Sequence, residues 1–97
     1  MVWTQWCTFR EGTVASCKND FGVYELADDA QNTVYYGSGE IKARLLTNLR
    51  KKEYRRATQY RVEYCSAEIE CRIKEQQLLQ AYNHAHGRLP WYNEQDR

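Results

Sequence analysis

The sequence is poor in several features that would identify a membrane, secreted or multidomain protein. It has one proline, Pro90, and neither repeats nor a low-complexity tract, so no internal linker is indicated. No apolar run approaches the length of a membrane span, and the first residues lack the charged start and apolar centre of a secretion signal. We therefore expect a single soluble, cytoplasmic domain over residues 1–97.

Cysteine is present but lacks the spacing of a common metal motif. The four cysteines, Cys7, Cys17, Cys65 and Cys71, include no CxxC pair and match no common zinc pattern. Two disulfides or a zinc site are possible in principle with four thiols. We expect buried free thiols instead.

Net charge is also small, at +1, but the basic residues are clustered. Between positions 42 and 61, eight bases accompany a single acid, Glu53; they are Lys42, Arg44, Arg50, Lys51, Lys52, Arg55, Arg56 and Arg61. Such a block is usually a solvated helix face. It is also the pattern of a surface that follows nucleic-acid phosphates, so this second interpretation stays open.

The remaining sequence has the composition of a globular domain, with 42% hydrophobic and 13% aromatic residues. Short β-prone runs at 22–27 and 33–37 flank a turn-forming segment and predict an antiparallel hairpin. A helical pattern then runs from Glu40 to about Lys52, and the alternation at 59–65 predicts a third strand.

A second, longer helix is predicted after the third strand. Ser66 is its expected N-cap, with Glu68 and Glu70 in the first turn, where carboxylates suit the helix dipole. The helix should run to about Ala85 and stop at Gly87. The order ββαβα predicts an α+β domain whose mostly antiparallel, three-stranded sheet is flanked by helices.

Residues 1–20 are expected to form an N-terminal extension of this core. Positions 6–9 and 14–16 could form a further hairpin around Glu11 and Gly12. His84 and His86 stand two apart on a helix and do not share a face, so we expect solvent-exposed helix-end residues and not metal ligands.

Glu75 is the most unusual charged residue of the long helix. At the helical angle of about 100° per residue, Cys71, Leu78, Leu79 and Tyr82 lie within about 60° of it, so the carboxylate shares an otherwise apolar face. A structural explanation is a rim residue whose stem packs while its head reaches water, or the partner of a nearby arginine. A functional explanation depends on its neighbours.

Those neighbours form an ordered set of motifs. Gly-Val-Tyr and Tyr-Tyr-Gly occur in the two strands of the predicted hairpin, and an arginine, a glutamate and an asparagine follow in that order. In these residues and their spacing, the sequence resembles the GIY-YIG endonuclease family. The resemblance covers residues 21–93, and the predicted ββαβα order agrees with the family's fold. The motif positions are 22–24, 35–37, Arg44, Glu75 and Asn93.

The resemblance implies hydrolysis of DNA phosphodiester bonds with one divalent metal. Glu75 would bind Mg²⁺ or Mn²⁺, Arg44 would neutralise the pentavalent phosphorane, and Asn93 would orient the site. Tyr24 or Tyr35 would take the proton of the attacking water, directly or through ordered solvent. A hard cation prefers oxygen ligands, and the arginine fork matches phosphate oxygens, so these residue types suit that chemistry.

The implied substrate is DNA, including branched or damaged DNA, and a homodimer or a separate DNA-recognition partner would supply further contact area. The substrate-binding residues would be Gly37, Ser38, Lys42, Arg50, Lys51, Lys52 and Asn93. Two positions depart from the family pattern: Tyr36 replaces the central residue of the second motif, and Asn48 stands where relatives have histidine or tyrosine.

Two other functions remain open at this point. The first is a nucleic-acid-binding module of the same fold that cleaves weakly or not at all, and the second is an interaction domain with neither activity. Each motif residue also has an ordinary explanation, because strand tyrosines commonly fill half-buried surfaces and an asparagine after a proline commonly caps a turn.

Overall fold

A four-stranded antiparallel sheet with helices on both faces forms this α+β domain. The structure is a computed structural model that describes residues 2–51 and 54–95. In chain order, its elements are β1 (Cys7–Thr8), α1 (Glu11–Ala15), β2 (Phe21–Ala27), β3 (Thr33–Glu40), α2 (Ile41–Leu49), β4 (Gln59–Tyr64), α3 (Glu68–His86) and α4 (Trp91–Gln95). Among these helices, none is both long and apolar enough to cross a membrane.

The strand order β1-β4-β2-β3 makes β2 a central strand and β3 an edge strand. Tyr24 of β2 pairs with Gly37 of β3 on one side and with Val62 of β4 on the other. Since side chains alternate along a strand, these three residues share one face of the sheet. The next row, with Val23 and Ser38, faces the opposite side.

Helix α2 covers the first face, where Ile41 and Leu45 pack in the same apolar cluster as Tyr24 and Val62. Helix α3 covers part of the second face. There Lys74 of α3 forms an ion pair of 3.1 Å with Glu63 of β4, and other residues of α3 contact β3. The edge strand β3 therefore lies between two helices that approach it from opposite faces.

The second face also buries a charged pair. Glu25 is 3% exposed and accepts a hydrogen bond of 2.7 Å from Nε of Arg61. The Arg61 guanidinium lies 4.8 Å from the ring centre of Trp3 and 4.5 Å from that of Trp6. Because Arg61 is held by a carboxylate and two aromatic rings, it belongs to the packing of the sheet and not to a free basic surface.

The central predictions about the chain are confirmed. The predicted hairpin is the antiparallel β2–β3 pair, and the third predicted strand is β4, which ends one residue earlier than expected. The long helix ends at His86, and Gly87 adopts the left-handed conformation (φ 73°) that terminates many helices. Both histidines near this end are exposed, as expected.

The predicted N-terminal hairpin is wrong. Residues 11–15 form the helix α1, with Val14 fully buried, and the short strand β1 pairs with β4 through Cys7 and Tyr60. The sheet consequently has four strands instead of the predicted three. A two-residue strand carries almost no alternation, and its partner lies more than fifty residues away, so a local pattern could not reveal this pairing.

Two helix boundaries also differ from the predictions. Helix α2 ends at Leu49, where the backbone N–H of Arg50 bonds to the carbonyl of Leu46, instead of continuing to about Lys52, a residue outside the described ranges. The N-cap of α3 is Ala67, so the prediction of Ser66 is off by one residue. The Ser66 hydroxyl donates to the carboxylate of Glu70.

All four cysteines are free, as expected, but only Cys71 is buried; Cys7, Cys17 and Cys65 are partly exposed. Burial raises the pKa of the Cys71 thiol to about 12, with a further contribution from Cys65. Such a thiol stays protonated at neutral pH and is a poor nucleophile or metal ligand.

Candidate active site

A cleft of about 540 Å³ opens where β3 ends and α2 begins. Both covering helices contribute to it, because α2 provides one wall and the first turns of α3 provide the other. Its lining residues are Phe21, Ser38, Gly39, Glu40, Ala43, Arg44, Glu68 and Arg72. Two of the residues predicted from the motifs, Ser38 and Arg44, therefore line the same cleft.

Tyr24 is fully buried on the α2 side of the sheet. Its hydroxyl oxygen accepts a hydrogen bond of 2.5 Å from Nδ2 of Asn48. Burial, followed by the neighbouring Tyr35, raises the pKa of Tyr24 above its ordinary value, while Arg44 and Asn48 lower it only in part. Tyr24 is consequently a neutral hydroxyl at physiological pH, held in one place by an amide from α2.

Gly37 lies directly across the sheet from Tyr24 and is buried. A Cβ atom at position 37 would overlap the Cζ and hydroxyl oxygen of the Tyr24 ring. The glycine of the Tyr-Tyr-Gly motif thus makes room for the tyrosine of the Gly-Val-Tyr motif. Gly37 is therefore buried next to the Tyr24 ring. The contact between Gly37 and substrate remains a prediction.

Arg44 connects the buried tyrosines to the cleft. Electrostatic attraction to Tyr24, and then to Tyr35, raises the pKa of Arg44 above its ordinary value against the opposing effect of partial burial. Gly39 has a positive φ of 135°, and a Cβ there would lie 3.0 Å from Cγ of Arg44. Glycine at this position therefore serves both the backbone turn into α2 and the path of the arginine side chain.

Tyr35 is 7% exposed and lies on the same face as Tyr24, with the two ring centres 6.0 Å apart. On its other side, the ring centre of Tyr54 lies at 5.4 Å. Tyr36, the central residue of the motif, faces the opposite side of the sheet and contacts Tyr82 of α3 edge-on at 6.4 Å. Its bulk is accommodated under α3 and stays away from the two motif tyrosines.

Glu75 reaches the end of β3 from α3. The Ser38 hydroxyl donates a hydrogen bond of 2.5 Å to Oε1 of Glu75, and both residues are partly buried. An ion pair with an arginine was one of the structural alternatives for Glu75, but within residues 2–51 and 54–95 Glu75 forms no ion pair. Glu75 is not one of the described residues that line the cleft, so it is linked to the cleft only through Ser38, on the face of the sheet opposite Tyr24 and Tyr35.

The Glu75 carboxylate is the group here that could contribute to binding a hard divalent cation. Glu75 has one carboxylate oxygen on Ser38 and a second that makes no hydrogen bond in the described part of the chain, and Mg²⁺ is commonly held by one or two carboxylates plus substrate phosphate oxygens and waters. No group of three histidine, cysteine, aspartate or glutamate side chains in the described ranges could hold a metal by itself. A cation here would depend on Glu75 and on oxygens of the substrate.

The sequence model of a protein family, DUF7508, described as a domain of unknown function, matches residues 1–85. The chain belongs to the DUF7508 family. A search of curated proteins finds no match. The matched range contains the cleft and the residues Tyr24, Tyr35, Arg44 and Glu75, and it ends before α4.

Beyond the range that the DUF7508 model matches, Asn93 of α4 makes two contacts with the edge strand β3. Its Oδ1 accepts a hydrogen bond of 2.9 Å from the backbone N–H of Tyr36, and its Nδ2 donates one of 2.9 Å to the carbonyl of the same residue. A side-chain amide here replaces a neighbouring strand and fixes α4 against β3. The structure therefore gives Asn93 a structural partner two residues from Ser38, and a role in orienting substrate remains a prediction.

The predicted basic contacts Lys42, Arg50 and Lys51 are not among the described residues that line the cleft. Lys42 lies on α2, Arg50 is the C-cap of that helix, and Lys51 lies 5.5 Å from the ring centre of Tyr54. None of these three forms an ion pair within the described ranges. Lys52 lies outside those ranges.

Sequence reasoning missed two groups of this site. Asn48 was noted as a departure from the family pattern, yet its position on the apolar stripe of α2 was a signal that its amide faces the interior. The second group is the pair Glu68–Arg72, whose 2.7 Å contact forms part of the cleft wall. Only the packing of α3 against β3 places it there, and no local pattern indicates that.

Proposed function

We propose that this DUF7508 domain is a metal-dependent DNA endonuclease of the GIY-YIG type. The observation that carries the proposal is the 2.5 Å hydrogen bond between Glu75 and Ser38, because Ser38 lines the same cleft as Arg44. The two motif tyrosines lie on the other face of the sheet from Ser38, where both interact with Arg44. The chain order β2, β3, α2, β4, α3 supports the proposal, since it is the ββαβα order that the resemblance implies.

The roles follow from the chemistry of each side chain. Glu75 would hold Mg²⁺ or Mn²⁺, and a bound cation of this kind supplies Lewis-acid stabilisation of charge on phosphate oxygens. Arg44 carries a permanent positive charge on a planar fork that can bind two phosphate oxygens. The hydroxyl groups of Tyr24 and Tyr35 interact with this guanidinium, so they would restrain it while it binds a phosphate in the cleft.

Tyr35 would take the proton of the attacking water. Tyr24 is fully buried, its oxygen accepts from Asn48, and burial raises its pKa, all of which disfavour the phenolate that a base requires. Tyr35 is slightly exposed and lies in contact range of the same arginine. Tyr24 then serves as a fixed neutral group that positions Arg44.

DNA binding would be weak and strongly dependent on salt. The free bases around the cleft are few, and specific protein–DNA interfaces bury on the order of 1,000 Å² or more of protein surface. Because phosphate binding releases counterions from the DNA, raising the salt concentration would lower the affinity further. A second copy of the chain or a separate recognition partner would supply the missing area.

A second candidate function is DNA binding without efficient cleavage. It is favoured by the Ser38 hydroxyl, which occupies one oxygen of the only carboxylate assigned to the metal. The two functions share the cleft and the basic residues around it. They differ in whether Glu75 is required for a chemical step or only for the packing of α3 on β3.

The test is a nicking assay on supercoiled plasmid and branched DNA with Mg²⁺ or Mn²⁺. Wild-type protein is compared with Glu75→Gln, which keeps the size and hydrogen-bonding ability of the side chain, and with Glu11→Gln, a matched loss of charge on the exposed side of α1. We expect Glu75→Gln to cut at least about a hundredfold more slowly and Glu11→Gln to cut normally, since removal of a key electrostatic group costs about that factor.

Equal cutting by wild type and Glu75→Gln would refute the endonuclease proposal, because the activity would then come from a contaminant. Binding of DNA by both proteins with cutting by neither would instead favour the binding module. Circular dichroism of each variant shows whether the fold is intact.

A further inference from the structure

A second pocket, of about 420 Å³, lies at the opposite end of β3 from the cleft. It is bounded by the start of β3, the last turn of α3, the first residue of α4 and the chain before β4. The residues that matter for its chemistry are Tyr82, His86, Trp91, Arg56, Arg88 and Asp28. None of them is used in the catalytic proposal.

Three aromatic rings border this pocket. His86 stacks on Tyr82 with 4.1 Å between ring centres and an interplanar angle of 31°. Trp91 is 42% exposed, a large accessible fraction for an indole. Exposed aromatic faces next to a pocket offer flat surfaces on which a planar ring can stack.

Two arginines accompany these rings. The Arg56 guanidinium lies 5.0 Å from the ring centre of Trp91, and Arg88 lines the same pocket. In the described ranges, neither arginine forms an ion pair. The acid nearby, Asp28, accepts hydrogen bonds of 2.9 Å from the backbone N–H of Asn32 and of 3.0 Å from that of Ala30, which lower its pKa, and Arg56 lowers that pKa to a smaller extent. The pocket thus combines aromatic surface with two arginines that form no ion pair in the described ranges.

We propose that this pocket binds one nucleotide of an unpaired DNA segment, with the base against Trp91 and the phosphate on Arg56 and Arg88. Base stacking on aromatic side chains and arginine contacts to phosphate are the two interactions that recur in single-strand binding, and they do not require a particular base. That the nucleotide belongs to DNA rests on the proposed function; the fit to a planar ring and an anion depends only on the pocket.

The spacing of the two sites makes the proposal specific. Thr33 at the pocket and Ser38 at the cleft are five residues apart on β3, which corresponds to about 17 Å of strand. A substrate whose unpaired nucleotide lies about 17 Å from its scissile phosphate would contact both sites at once.

The experiment measures binding in EDTA, so that no cutting occurs, by fluorescence anisotropy of a labelled oligothymidylate and by quenching of tryptophan emission. The variants are Trp91→Ala, Trp91→Phe and Arg88→Ala, with Arg10→Ala as a matched loss of one exposed arginine outside both sites. We expect Trp91→Ala and Arg88→Ala each to bind about tenfold more weakly, as typical for loss of one stacked base or one charged interaction. Arg10→Ala should bind normally.

Trp91→Phe separates a local role from a structural one. It retains an aromatic face, so affinity should stay within about threefold of wild type, while most of the quenching disappears because the reporter is gone. Normal binding by both Trp91→Ala and Arg88→Ala would overturn the proposal. So would thymidine monophosphate binding as tightly as the oligonucleotide, because the pocket would then serve a free nucleotide.

The two proposals fail in different ways. If plasmid is never cut but Trp91-dependent quenching persists in Glu75→Gln, the pocket stands and the endonuclease assignment falls. If Glu75-dependent cutting is found but the Trp91 and Arg88 variants bind and cut as wild type does, the endonuclease assignment stands and the second site falls.

Discussion

Asn48 offers a sharp test because it is a buried polar residue that is only half satisfied. The side chain is 1% exposed, its nitrogen donates to Tyr24, and its Oδ1 has no hydrogen-bond partner in the described ranges. Exchanging the two amide atoms would pair the oxygen with the Tyr24 hydroxyl and leave the nitrogen unpaired instead. Either orientation buries one unsatisfied polar atom. The perturbation we consider is Asn48→Leu, which keeps the branching at Cγ and has no polar atoms, although the side chain is larger.

The expected change in the free energy of unfolding follows from three contributions. Loss of the hydrogen bond to Tyr24 costs about 1 kcal/mol, and removal of the unsatisfied buried atom returns about 1–3 kcal/mol. Leucine also favours the helix over asparagine by a few tenths of a kcal/mol. The variant should therefore be about 0–2 kcal/mol more stable than wild type. With an m-value of about 1 kcal/mol/M, the urea midpoint should rise by up to about 2 M.

Activity should move in the opposite direction. Without the amide, Tyr24 is no longer held at its hydroxyl, and Arg44 loses part of its support, so nicking should fall ten- to a hundredfold, as expected when a catalytic group is displaced by a fraction of an ångström. A gain in stability with a loss of activity is the pattern of a residue retained for a site.

Thr58 provides the matched control, since its Oγ1 is the other buried side-chain oxygen without a partner in the described ranges. Thr58→Val should raise stability and leave nicking unchanged. Destabilisation of Asn48→Leu by more than about 1 kcal/mol, or full activity in that variant, would refute the reasoning about Asn48.

Two further predictions concern the same region. Gly37→Ala should lower the free energy of unfolding by about 1–3 kcal/mol, because its methyl group overlaps the Tyr24 ring. Measured by thermal unfolding, this loss of stability should be smaller when Tyr24→Leu is also present, since the ring is then gone. An equal loss in both backgrounds would contradict the overlap. Burial raises the pKa of Tyr24 and Tyr60, so the folded state favours their neutral forms. The resulting contribution to stability is complete below about pH 10, the ordinary tyrosine pKa, and is lost as the pH rises through the raised pKa values of the folded state. Absorbance at alkaline pH should show tyrosines that ionise only on unfolding, and uniform titration of all tyrosines in the folded protein would contradict this.

Local patterns in the sequence predicted the elements that carry their own periodicity. The β2–β3 hairpin and β4 alternate strongly, and α3 has both an apolar face and a terminating glycine, Gly87, so each was located to within about three residues; the largest difference is the end of β3, at Glu40 instead of Gly37. The first twenty residues have none of these signals. Their structure depends on Cys7 pairing with Tyr60 and on Val14 entering the core, which are long-range contacts.

The same division applies to the candidate site. The sequence placed Tyr24, Tyr35 and Arg44 on adjoining elements, and the structure brings them together because the hairpin and α2 are consecutive. The partner of Glu75 was missed, because 37 residues separate it from Ser38 and only the docking of α3 joins them. The basic block was overcounted, since Arg61 alternates into the sheet and pairs with a buried carboxylate.

The pairing of Asn93 with the backbone of Tyr36 on the edge of β3 affects how the chain folds during synthesis. The strand is complete at residue 40, but the amide that covers its outer edge is 57 residues from Tyr36 along the chain. During synthesis, the edge therefore stays open until nearly the entire domain has left the ribosome. A strand with unpaired backbone groups can pair with another chain, so this interval is when aggregation competes with folding.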